Sequence, residues 1–230
     1  MKTYLIDSVF FGAVVSLAAY EAGLLLKRRF RLALINPLLI ATVCVMAVLT
    51  LFKVEYRHYN EGAKYISYLL TPATVCLAVP LYQQLALLRK NLKAVAGGIT
   101  AGVLASLVSV FVLAKLFSLT HEQYVTLLPK SITTAIGMGV SEELGGISTI
   151  TVAVIIITGI LGNVIAESVC RIFRIEEPIA KGLALGTASH AIGTAKAMEL
   201  GEVEGAMSSL AIAVAGLMTV VGASLFANLM

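Results

Sequence analysis

Tryptophan is absent from this 230-residue chain, charged residues make up only 13% of it, and it holds just three cysteines and five prolines. A soluble domain of ordinary composition carries about a quarter charged residues, so this chain has too little polar surface to cover a water-soluble globule. Cys44, Cys76 and Cys170 are odd in number and dispersed through apolar sequence, which excludes a disulfide framework and a metal-ligand spacing. There is no Gly-rich phosphate loop and no HExxH, and His58, His121 and His190 share no ligand spacing. No metal, no cofactor and no enzymatic activity is expected. Ser189 and Lys196 would fall two turns apart on one helix, too distant for direct proton transfer in a hydrolase.

What the chain has in quantity is hydrocarbon. Apolar residues make up 59% of it. Long apolar segments cover residues 5–26, 32–52, 62–88, 94–117, 147–170 and 203–229, each near the ~20 residues that an α-helix needs to cross ~30 Å of bilayer core. Residues 121–146 and 177–202 are less uniform. The net charge of +4 does not mark a nucleic-acid partner, because ten of the seventeen basic residues sit in three clusters between apolar segments. These are Lys27, Arg28, Arg29 and Arg31; Arg89, Lys90 and Lys93; and Arg171, Arg174 and Lys181. They read as cytoplasmic topology markers. If all three clusters are cytoplasmic, 121–146 starts and ends on the outer side, and should enter the membrane and turn back where its glycines permit. If instead it crosses fully, the topology shifts by one.

An internal repeat at an offset of 56 lays SITTAIGMGVSEELGG (131–146) over TASHAIGTAKAMELGE (187–202), with AIG on AIG and ELG on ELG. Each copy precedes one long apolar helix. A re-entrant element plus one span crosses an odd number of times, so the copies would face opposite ways, as in the inverted repeats of many secondary transporters. If the broken element spans, the copies are parallel.

Together, LLPKSITTAIGMGVSEELGG and GTASHAIGTAKAMEL resemble the signature of the LrgB/CidB family, and the resemblance covers essentially the whole chain. The family was first described as holin-like regulators of murein hydrolase activity. Similar sequences form the C-terminal part of plastid glycolate/glycerate translocators, and bacterial relatives are linked to movement of pyruvate and related small carboxylates. The resemblance implies a multi-pass protein of the bacterial inner membrane, encoded beside a small LrgA/CidA-like membrane protein as a possible partner.

Polar groups at membrane depth are costly and mark cavities or helix contacts. The candidates are Lys130, Ser131, Thr133 and Thr134 after Pro129, Thr187, Ser189, His190, Thr194 and Lys196 after Gly186, and Asn163, one turn from Glu167. Broken helices expose backbone N–H groups that favour an anion, and hydroxyls with a lysine would complete a carboxylate site. Each also has a bland role: hydroxyls bond backbone carbonyls, lysines snorkel, and His190 packs a helix.

The expectation is therefore an all-α polytopic membrane protein of about six spanning helices plus two re-entrant or broken hairpins in an inverted repeat. Residues 1–118 would form scaffold-like helices and 119–230 a transport bundle with repeats at 121–173 and 177–229. The expected function is secondary transport of small monocarboxylates such as glycolate, glycerate or pyruvate by alternating access, with homo-oligomers expected in the bilayer. The alternative is a holin-like or antiholin-like regulator of murein hydrolase activity and lysis.

Overall fold

In the computed structural model the chain is α-helical, and residues 8–30, 37–69, 72, 75, 76 and 78–230 are described. Arg31, Asn36, Thr71 and Thr74, of interest as a topology marker, a helix break and possible cavity residues, lie outside them. The chain divides into two compact units, 1–76 and 77–230.

In the first unit, α1 (Phe11–Phe30) packs against α2 (Pro37–Leu51) and α3 (Tyr56–Ser67). Gly12 lies against the backbone of Tyr59 and Ala63, and Gly62 lies reciprocally against the backbone of Gly12. The absence of two Cβ atoms brings α1 and α3 into main-chain contact, and the Ser16 and Tyr59 hydroxyls then meet at 2.8 Å.

In the second unit, two short helices, α4 (Ala78–Gln83) and α5 (Leu85–Lys90), precede the long α6 (Leu92–Leu116). The apolar stretch 62–88 is therefore not one helix among the described residues. Along α6, Val95, Ile99, Val103, Leu107, Val110 and Ala114 recur every three or four residues and are buried, while Leu104, Val108, Val112 and Leu116 on other faces are exposed. A helix apolar all round, buried on one stripe only, is suited to hydrocarbon. Among the described residues, three helices are long and apolar enough to cross a membrane: α6, α9 (Ser148–Ile172) and α11 (Glu202–Ala227). Helix α2 is apolar but only 15 residues long. Helix α6, which the sequence groups with the scaffold, packs here against α11 and α10 (Pro178–Leu200).

The two broken elements fold back on themselves. In the first, α7 (His121–Leu127) begins with a capping box, Thr120 accepting from the Gln123 backbone while Gln123 accepts from the Thr120 backbone. Pro129 then ends it, a turn follows, and α8 (Thr134–Glu143) returns. The arms are held at their base by α9: the Thr151 hydroxyl donates to the Thr126 carbonyl (2.9 Å) and shares a 2.7 Å hydrogen bond with the Ser141 hydroxyl. That base also lies by the end of α11, where the Tyr124 hydroxyl donates to the Phe226 carbonyl.

The second element, α10, opens with Pro178 in its first turn and breaks at His190, whose φ of 42° and ψ of −136° are not helical. Gly186 and Thr194, on either side of the break, both lie against Ser208 of α11. Gly182 lies against Glu204 and Met198 against Gly205, so the first arm runs with α11 and the second runs against it. The base of this hairpin is at the start of α11 and, through Lys196 and Glu167, near the end of α9. The two hairpins thus have their bases at opposite ends of α9 and α11.

Candidate functional site

The hairpin tips converge on the same two turns of α6. Ser131, in the turn of the first, accepts a hydrogen bond from Ser106 at 3.1 Å. Thr187, one turn before the break in the second, lies over Gly102, where a Cβ would come within 2.8 Å of its hydroxyl. Between these tips, α6 and α9 lies a cavity of about 900 Å³. Its walls owe their shape to small residues: Gly98, Gly102 and Ala105 on α6, Gly162 on α9, and Ala184 and Ala188 on α10.

Four of the ten candidate residues line this cavity: Lys130, Ser131, Thr187 and Ser189. The Lys130 ammonium donates to the Ser131 hydroxyl at 3.0 Å and to the Ser106 hydroxyl at 3.4 Å. Among the described residues no carboxylate lies within ion-pair distance of it. A half-buried ammonium held by two neutral hydroxyls attracts an anion, because burial of an uncompensated charge is expensive. Thr187 spends its proton on the Leu183 carbonyl (2.7 Å), leaving an oxygen that accepts.

The other candidates are placed elsewhere. Thr133 caps the start of α8 by position, without a side-chain capping bond, and Thr134 opens that helix. His190 is buried against α9, its Nε2 2.9 Å from the Ile155 carbonyl; a carbonyl only accepts, so Nε2 carries a proton. Gly159 makes room for the imidazole ring. Asn163 donates to the Ile192 carbonyl at 3.0 Å, satisfying a main-chain acceptor just past the break. Thr194 bonds the His190 carbonyl at 3.1 Å and the Ser208 hydroxyl at 2.7 Å. These three side chains hold the His190 turn in place. Lys196 is at the hairpin base, ion-paired with Glu167 of α9 and, at 3.2 Å, with Glu199.

Sequence reasoning passed over Ser106 and Ser109, which line the cavity from α6, and Ser208. Their signal was present: Gly98, Gly102, Ser106 and Ser109 recur at helical spacing and form a small-residue face in an otherwise bulky segment. Among the described residues, no group of three or more His, Cys, Asp or Glu is placed to hold a metal ion.

Residues 16–229 match the LrgB-like family. The chain is 41% identical over 218 residues to Antiholin-like protein LrgB of Bacillus cereus, a match that covers 94% of this chain and 95% of the relative. The same identity and coverage hold for the protein of that name from Bacillus anthracis. No solved structure matches the chain.

Proposed function

The chain belongs to the LrgB-like family, and from that premise we propose that it is an antiholin-like protein of the bacterial inner membrane that restrains murein hydrolase activity and lysis. The observation that carries this reading is the near full-length similarity to proteins named antiholin-like. A small LrgA/CidA-like membrane protein is the proposed partner. The test is complementation of a strain lacking the gene: restoring the chain should slow autolysis and lower murein hydrolase activity on zymograms. Autolysis that is identical with and without the chain would overturn it.

A second reading concerns the molecular activity, and the Lys130 cavity favours it. Two hairpins with bases at opposite ends of α9 and α11 are what an inverted repeat of re-entrant elements would produce, with about six spans in all. Tips that meet at the Lys130, Ser131 and Thr187 groups would hold a small monocarboxylate such as glycolate, glycerate or pyruvate near the membrane midplane. In this reading the chain is a carrier working by alternating access, and the hairpins rock about the ends of α9. Saturable counterflow of labelled glycolate or pyruvate into liposomes holding the purified chain would support it. Leak of unrelated solutes without saturation would overturn it in favour of a pore.

A further inference from the structure

We infer that a second pocket, at the end of α9, binds the headgroup of an anionic phospholipid and ties it to both feet of the second hairpin. The pocket, of about 380 Å³, is lined by Arg171 in the last turn of α9 and Arg174 just past it, by Lys181 on the entering arm of α10 and by Leu200 at the end of its returning arm. Glu167 and Glu176 also face it. Glu167 is already paired with Lys196. That leaves three cations around one carboxylate, and none of the three has an ion-pair partner among the described residues.

The position suits a lipid more than a soluble ion. Helix α9, at 25 residues, is about 38 Å long and outreaches a hydrocarbon core of about 30 Å, so its last turn lies at headgroup depth. The pocket mixes guanidinium groups, which bind a phosphodiester in bidentate fashion, with the apolar side chains of Ile175 and Leu200, against which the start of an acyl chain can lie. Basic pockets between membrane helices are recognised sites for anionic headgroups, which are abundant on the cytoplasmic leaflet. A headgroup held here spans α9, the entering arm and the returning arm at once, and so stiffens the hairpin at its base. This inference does not depend on either reading of the cavity.

The test uses the full chain in detergent, with bound lipid counted by native mass spectrometry during titration with phosphatidylglycerol or with phosphatidylcholine of the same acyl chains. Phosphatidylglycerol should be retained in preference. Its binding should weaken about 30-fold in Arg171→Gln/Arg174→Gln and about 5-fold in Lys181→Gln, as expected for two cations and one. The unfolding midpoint of the unaltered chain, which needs no variant, should rise with phosphatidylglycerol and not with phosphatidylcholine. Equal retention of the two lipids, unchanged binding in the variants, or displacement of phosphatidylglycerol by millimolar inorganic phosphate would overturn the inference.

Discussion

Gly162→Ala isolates the contact that seats the second hairpin on α9. A Cβ built on Gly162 overlaps the Ser189 hydroxyl and lies 2.7 Å from the Ser189 Cβ. The hydroxyl can rotate away, but the Cβ is fixed by the backbone, so the Cβ contact decides the outcome. Carbon atoms pack at about 3.5–4.0 Å, and the hairpin tip must therefore retreat by about 1 Å. Overpacking of this kind costs about 1–3 kcal/mol, set against about 1 kcal/mol gained by replacing glycine with alanine inside a helix. The single variant should be unchanged to moderately destabilised, which is uninformative alone. The decisive quantity is its coupling to Ser189→Gly, which removes the obstructing side chain. Unfolding free energies of the four proteins in one detergent should give a favourable coupling of about 1–2 kcal/mol in the double variant. Additivity to within about 0.5 kcal/mol would refute the contact and, with it, the placement of the His190 turn.

Thr194→Val strands the buried Ser208 hydroxyl and removes the bond to the His190 carbonyl, and should destabilise the chain by about 1–2 kcal/mol, whereas Thr194→Val with Ser208→Ala should recover the part due to the stranded hydroxyl; equal losses would deny the hydrogen bond between the two side chains. Lys196→Met removes the pairs with Glu167 and Glu199, both half-exposed, so its effect on stability should stay below about 1 kcal/mol, but it should speed thiol labelling at Met198→Cys on the returning arm; unaltered labelling would show that the pairs do not restrain it. Cysteines at Glu143 and Glu202, one beside each hairpin base, should be labelled from opposite sides of the membrane in sealed vesicles, and labelling of both from one side would contradict two hairpins entering from opposite faces.

Much of the second unit is legible in the sequence because the breaks are local. Pro129 with its following hydroxyls marks where the first element turns, and the structure turns it there. The glycines expected to make that turn do not: Gly137 and Gly139 lie inside α8, and the second element breaks at His190, just ahead of its own AIG. The partners of the polar side chains are not local. Lys196 sits in the sequence beside the other candidates, yet the chain reverses at His190 and carries it back to the hairpin base and to Glu167. Asn163 and Glu167 share one helix but serve different ends of that hairpin, one the turn and one the base. Ser106 was hidden for the opposite reason: a lone serine in an apolar span is common, and only the approach of Ser131 from another element gives it a role. The stretch 62–88 reads as one span because its hydropathy is unbroken, yet among the described residues it is divided between separate helices.

If this LrgB-like chain restrains lysis as proposed, it does so through the cavity where the hairpin tips meet at Lys130. The most direct measurement is the autolysis rate of a strain lacking the gene, complemented with the unaltered chain or with Lys130→Gln at matched membrane levels. Glutamine keeps hydrogen-bond donors for Ser131 and Ser106 but removes the charge. The unaltered chain should slow autolysis and Lys130→Gln should not. Equal protection by the two would contradict it.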